Sequence, residues 1–199
     1  MKREQEFVGK YYRLAPRDRL DRIYTNFDNF PGIIADYELE MSEWIKDNLA
    51  RARRQAVGEL GVRIQTSNFR HSITEDTAIE NLEIERIIKE TDLGDGSWDK
   101  MEDSDEIMRG LLEIKLMRQE YHRFKSKLRR LSTRNQEIFI SYLNHQRRTP
   151  ELSDYLGISQ ISVFKRIYRI KQEVYKGFLD RLDSYDDETI FRLEAYDYD

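Results

Sequence analysis

The chain has 199 residues, with 34 Lys/Arg against 38 Asp/Glu, and carries a formal net charge of −4. It has no cysteine, which excludes disulfides, thiolate zinc sites and cysteine nucleophiles and suits a reducing compartment. No apolar run approaches the roughly twenty residues of a membrane helix. Alternating β-rich segments are scarce and prolines number only 3, so an all-α fold is expected in the cytoplasm, without membrane contact.

Residues 1–37 mix charge with seven rings: Phe7, Tyr11, Tyr12, Tyr24, Phe27, Phe30 and Tyr37. Helices are expected over 3–13 and 16–27, with a break near Asn29–Gly32. The rings are read as core residues rather than as platforms for unpaired bases, because only their number points to stacking. A strong helix is expected over 37–60, where Leu39, Trp44, Ile45, Leu49, Ala52, Ala56 and Leu60 recur at helical spacing. Arg51, Arg53 and Arg54 on it read as a solvated face. Residues 61–72 read as extended or loop. A helix then starts at Ser72 or Thr74 and runs to Lys89, offering Ala78, Ile79, Leu82, Ile84, Ile87 and Ile88 to a core.

Residues 91–106 read as an acidic linker. Residues 90–106 hold eight acids and one Lys, a net of −7, a composition that opposes compact structure. The aspartates around Gly96-Ser97 lack the ligand order and closing bidentate Glu of a calcium loop. A long helix is expected from Ser104, with Ile107, Gly110, Ile114, Met117, Tyr121, Phe124, Leu128 and Leu131 at a 3-4-3-4-3-4-3 spacing. That seam suits helix pairing, either on its own chain or in a homodimer through 107–131.

The most informative stretch is Thr149–Ile170. Thr149 suits a helix cap, Pro150 its first position and Glu151 the positive end of its dipole. Leu152, Tyr155 and Leu156 share a face. Gly157 stands where a tight turn needs positive φ, Ile158 can anchor that turn, and Ser159 suits the next cap. Val163, Ile167 and Ile170 then form one apolar face, opposite Gln160, Ser162, Lys165, Arg166 and Arg169. Ahead of this, Thr133-x-x-Gln136 has the form of a capping box, with Ile138, Phe139, Tyr142 and Leu143 as an apolar stripe. Helices over 133–146, 150–156 and 160–180 would close a small core around Phe139, Leu143, Leu152, Leu156, Ile158, Val163 and Ile167. A polar, basic face on a helix after a short turn can enter a major groove. Gln160, Ile161, Phe164, Lys165 and Tyr168 are the expected base-edge contacts. Ser159, Ser162, Arg166 and Arg169 are the expected phosphate contacts, and Thr149 joins the DNA-binding set at the start of the preceding helix.

Charge is distributed in blocks. Residues 107–128 hold six Lys/Arg and two acids, a net of +4, and residues 129–181 hold eleven and five, a net of +6. Residues 182–199 hold one Arg and seven acids, a net of −6. Phosphate responds to nearby charge because salt screens the rest, so the basic stretch supports nucleic acid binding despite an acidic total. His71, His122 and His145 are isolated, and Gly94–Gly96 follows no strand. No catalytic set, metal site or cofactor is expected, and the chain does not read as an enzyme. The expected organisation is an N-terminal helical domain over 1–90, an acidic linker over 91–106, a long helix plus helix-turn-helix over 107–182, and an acidic tail over 183–199.

The run Leu131-Ser-Thr-Arg-Asn-Gln-Glu-Ile-Phe139, with Leu152-Ser-Asp-Tyr-Leu-Gly-Ile-Ser159, resembles region 4 of sigma-70-type transcription factors. Glu59-Leu-Gly-Val-Arg-Ile-Gln-Thr-Ser67, with Ser72-Ile-Thr-Glu-Asp-Thr-Ala-Ile79, is similar to the middle of ArpU/RinA-type phage late-gene transcription regulators. Those proteins join an N-terminal helical part to a C-terminal helix-turn-helix, and the two patches stand in that order here. The resemblance covers about half of the chain. It implies a regulator that binds double-stranded promoter DNA and works with bacterial RNA polymerase in a bacterial host cell, as an activator or as a sigma-like factor. A DNA-packaging adaptor resembling a small terminase subunit is the competing expectation, since it also pairs a helix-turn-helix with an oligomerising helix.

Overall fold

The computed structural model describes residues 11–60, 73–91 and 103–180. The first residues of the expected helix 3–13, the stretch 61–72 with its Gln65-Thr-Ser67 patch, most of the acidic linker and the tail 183–199 lie outside the described residues. Among the described residues there are seven helices and no strand: α1 (Pro16–Thr25), α2 (Phe30–Leu60), α3 (Ile73–Glu90), α4 (Ser104–Leu128), α5 (Thr133–Leu143), α6 (Thr149–Leu156) and α7 (Gln160–Leu179). The fold is all-α.

Local chemistry accounts for most of the helix ends. Pro16 opens α1, Asp18 stands in its first turn and Arg22 in its last, as the helix dipole favours. α2 starts at Phe30 instead of 37. Pro31 and Gly32 fall in its first turn, where the missing proline N–H has no intrahelical partner to lose, so the expected break narrows to residues 26–29. Phe30, Ile34, Met41 and Ile45 are buried along α2, whereas Leu39 is 61% exposed. In α3, Ile84, Ile87 and Ile88 are buried, but Ile79 and Leu82 are exposed, as is Ala78. α3 meets the core through its last two turns, so its earlier apolar residues do not form the expected core.

The axis of the fold is α4. Leu111, Leu112, Glu113 and Ile114 are consecutive and all buried. At about 3.6 residues per turn, four consecutive buried residues leave no side of the helix facing water. α2, α1 and α7 all pack against it. Ile107, Gly110, Ile114, Met117, Phe124 and Leu128 of the expected pairing seam are buried within their own chain. The homodimer through 107–131 therefore lacks the free apolar face it was expected to use. At Gly110 an added Cβ would lie 2.7 Å from Met41 Sδ and 3.3 Å from the Tyr37 hydroxyl, so glycine permits the close approach of α2 to α4.

Buried residues that precede and follow the expected linker share one core. Buried side chains from Tyr11 to Phe178 belong to one cluster, because α1 packs on both α4 and α7. The N-terminal rings supply much of it. Tyr11, Tyr12, Phe27 and Phe30 are buried, and Phe27 lies 5.6 Å from Phe124 and 5.8 Å from Tyr121 between ring centroids. Tilted contacts of this kind favour aromatic pairs beyond their buried area.

Two carboxylates of α4 hold the turn before α1. Glu113 Oε1 accepts from the Tyr11 and Tyr12 amides, and its Oε2 accepts from the Tyr37 hydroxyl. Glu120 accepts from the Tyr11 hydroxyl and from Arg19 Nε, the latter at 2.8 Å. Arg19 also donates to the Leu14 and Tyr12 carbonyls, while its Nη2 is buried without a partner. A non-helical turn carries backbone N–H groups that need acceptors when buried; Glu113 supplies them, and Glu120 holds the Tyr11 and Arg19 side chains.

Burial pushes the Glu113 carboxyl up to about 7, against the opposing bonds from the Tyr12 and Tyr11 amides. The folded protein thus holds this proton more tightly than the unfolded chain, whose ordinary value is 4.5. The stability it contributes is fully present below that value and is lost as pH rises through about 7. The loss is on the order of 3 kcal/mol, at about 1.4 kcal/mol per unit. Glu113→Gln, which mimics the protonated acid, should gain stability over the parent between pH 5 and pH 8 in denaturant titrations. A difference that stays constant across that range would reject the assignment.

Candidate nucleic-acid interface

α5, α6 and α7 form a helix-turn-helix with one helix in front. The α6–α7 turn has the expected chemistry. Gly157 adopts φ 63° and ψ 33°, the left-handed region, directly after Leu156. The Ile158 N–H returns to the Ser153 carbonyl at 3.2 Å. The Ser153 hydroxyl donates to the Ile158 carbonyl at 2.6 Å, a brace that sequence reading did not find. Ser159 caps α7 by accepting from the Ser162 N–H at 3.3 Å. Val163, Ile167 and Ile170 face the core, joined by Leu152, Phe139 and Leu143, with Leu156 and Ile158 partly buried against it.

Three boundary expectations need correction. Arg148, not Thr149, is the cap of α6; its N–H donates to Glu151 Oε2 at 2.8 Å, and Thr149 is the first helical residue. Ser132, not Thr133, caps α5, and its side chain makes no capping bond. α5 ends at Leu143 instead of 146, because His145 takes φ 54° and the Gln146 and Arg147 amides turn back to the Ser141 carbonyl.

α7 is divided along its length. Its C-terminal half is clamped into the body, with Val174, Tyr175 and Phe178 buried. Asp21 of α1 accepts from Lys171 Nζ at 3.1 Å and from the Tyr175 hydroxyl at 2.6 Å. The Tyr24 ring meets Tyr175 edge-on and Phe139 at a tilt, both at 6.0 Å, and Lys171 Nζ stands 4.1 Å from the Tyr24 ring centre. Burial pushes the Asp21 carboxyl up, but the bonds from Tyr175 and Lys171 outweigh it and hold the group below its usual range. Burial raises the Tyr175 hydroxyl, and the bond to Asp21 raises it further.

The N-terminal half of α7 projects outward. Gln160, Ile161, Ser162, Phe164, Lys165, Tyr168 and Arg169 are exposed on it, together with the capping Ser159. Thr149 is half-buried. Arg166 is less free than expected, since its Nε and Nη2 both donate to Asn135 Oδ1, at 3.1 and 2.8 Å. It ties α7 to the first turn of α5 and lines an open groove with Asn135, Ile158, Ser162 and Arg169. Tyr155, expected to share a face with Leu152 and Leu156, is 53% exposed. Its hydroxyl donates to Glu137, and Arg147 lies over its ring at 4.1 Å. Sequence reading missed Arg147, Arg148 and Asn135. The Arg-Arg pair directly before Thr149-Pro150 was the available signal for the first two.

The chain matches no family model, no curated protein and no solved structure. Among the described residues, no group of three or more His, Asp or Glu could hold a metal ion, and no helix is long and apolar enough to cross a membrane.

A Cβ added at Gly157 would meet no heavy atom within 4 Å, so a side chain there costs backbone energy alone. Gly157→Ala should lower the free energy of unfolding by about 1 kcal/mol, the penalty of left-handed backbone less the entropy lost by the unfolded chain. Gly157→Asn should lose less, because Asn tolerates that region. Equal stability of the glycine and alanine proteins in urea titrations would reject the left-handed turn.

Proposed function

We propose that this chain is a sequence-specific transcription regulator that binds double-stranded promoter DNA and acts with bacterial RNA polymerase on late genes of a phage or prophage. The observation that carries the DNA-binding part is the exposed N-terminal half of α7. It follows a turn built on Gly157 and presents Gln160, Ile161, Phe164, Lys165, Tyr168 and Arg169 to solvent. A helix of this kind fits the major groove, where its first turns reach base edges. Ser159, Ser162 and Arg169 border that face and suit phosphate oxygens. Arg147 and Arg148, ahead of α6, add two cations that the sequence reading had not assigned. Arg166 serves mainly to fix the angle between α7 and α5 through Asn135. The phage setting, late genes and polymerase come from the resemblance to ArpU/RinA-type regulators.

No reaction is performed in this reading. Binding energy positions the protein, and the protein positions polymerase. The net of +6 over residues 129–181 attracts the phosphate backbone, and the exposed side chains of α7 discriminate sequence. Burial of the α4 seam in its own chain favours a regulator over a packaging adaptor, whose oligomerising helix needs a free face. The test is transcription from the cognate promoter with purified core polymerase, with and without host sigma. Transcription that responds to the protein in either arm supports the reading. Indifference in both arms, with no retention of duplex DNA, sinks it.

Two substitutions divide the work of α7. Lys165→Ala should weaken specific binding by about 1–3 kcal/mol and relax preference at one base position. Arg169→Ala should weaken all duplexes alike and reduce the slope of log affinity against log salt by about one. Titrations of promoter and random duplexes at several salt concentrations separate the two. Unchanged affinity in both variants would reject the assignment of α7.

A further inference from the structure

Among the described residues, four of the seven large apolar side chains that are strongly exposed fall between Tyr155 and Tyr168. Three of them, Ile161, Phe164 and Tyr168, lie on α7 at 67%, 57% and 63% exposure. No packing need places them there, since Val163, Ile167 and Ile170 already fill the inward face. At about 100° per residue they occupy one arc of roughly 60°. Lys165, Arg169 and Ser162 follow on the adjoining arc, farther round the helix. The free surface of α7 thus has an apolar shoulder and a basic shoulder, side by side.

Apolar side chains left exposed along one arc of a helix mark a contact surface. The charge around it selects the occupant. Lys165 and Arg169 stand beside it, Arg147 and Arg148 precede α6, and Ser159 and Gln160 open the helix. A partner that brings phosphates and apolar groups together at this scale is duplex DNA, whose major groove displays the thymine C5-methyl as its one apolar feature. From Ile161 to Tyr168 the helix rises about 10 Å, which spans about three base steps at 3.4 Å.

Building on the DNA-binding reading of α7, we propose that Ile161, Phe164 and Tyr168 form a thymine-methyl reader. It selects two or three neighbouring A·T pairs with their thymines on one strand, while Lys165 and Gln160 read hydrogen-bonding edges beside them. The selected sequence is therefore defined by methyl groups as much as by donors and acceptors. Each methyl buried contributes about as much as one methylene, roughly fourfold in affinity.

The test first selects duplexes from a random pool with the full chain, then replaces each selected thymine singly by deoxyuridine. That exchange removes the C5-methyl and keeps the base pair. Two or three adjacent positions should each weaken binding about fourfold. In Ile161→Ala, Phe164→Ala or Tyr168→Ala, sensitivity at one of those positions should disappear, whereas Lys165→Ala should keep it. The deoxyuridine arm uses the unaltered protein, so a variant that misfolds leaves the proposal testable. Selected duplexes that bind equally well with deoxyuridine at every position overturn the methyl reader and leave DNA binding by α7 standing. Failure to enrich any duplex rejects the DNA-binding reading beneath it. If the triple alanine variant binds selected DNA with unchanged affinity but loses a contact with core RNA polymerase, the stripe is a protein-docking surface and the proposal is overturned.

Discussion

Enclosure of the middle of α4 is the constraint on which the rest of this structure depends. A helix with four consecutive buried residues cannot remain at a surface, so α1, α2 and α7 are arranged around it. Two of the buried positions carry carboxylates, which are costly inside a protein unless bonded. Glu113 and Glu120 meet that requirement by accepting from the Tyr11–Tyr12 turn and from Arg19. The same bonds fix where α1 begins. Replacing such a network with apolar groups can be neutral for stability, but removing one partner leaves a buried charge exposed to that cost. The network therefore dictates the path of the chain more than it adds to stability.

From α1 the constraint passes to the outer surface. α1 contacts α4 with one face and α7 with another, through Asp21, Tyr24, Lys171 and Tyr175. The clamp acts on the second half of α7 only. The first half is held by its own cap at Ser159 and by the Arg166–Asn135 bond to α5. A helix gripped at one end and braced at its flank presents its free side chains in a fixed orientation. That orientation lowers the cost of ordering α7 when a partner binds it.

The sequence disclosed the local chemistry and concealed the long-range partners. The Gly157 turn, the Ser159 cap and the inward Val163, Ile167 and Ile170 were legible because each depends on neighbours within a few residues. The heptad of α4 was legible as a seam, yet its partner was not. Periodicity shows that a face is apolar and leaves open what covers it. Leu111 and Leu112 lie off that seam and were the overlooked sign that the helix is enclosed. Nothing in the neighbouring sequence marks Glu113 and Glu120, because their donors stand about a hundred residues away. Leu39, Ile79 and Leu82 failed in the opposite way. Their spacing suits a core, but α2 and α3 present those positions to solvent. In α7 the exposed Phe164 and Tyr168 were legible as outward residues, since the opposite face was already complete.

The partners of the first helix carry a temporal consequence. Tyr11 bonds Glu113 across 102 positions, and Asp21 bonds Tyr175 across 154. A ribosome adding roughly 5–20 residues per second needs about 8–30 seconds to make the stretch between Asp21 and its clamp. Through that interval α1 lacks its α7 partners, although α4 is made earlier, and at ten residues it is too short to persist in water alone. The contact of α1 with α7 is thus among the last that synthesis allows. That contact closes the grip on the second half of α7 only after nearly all of the described chain has been made.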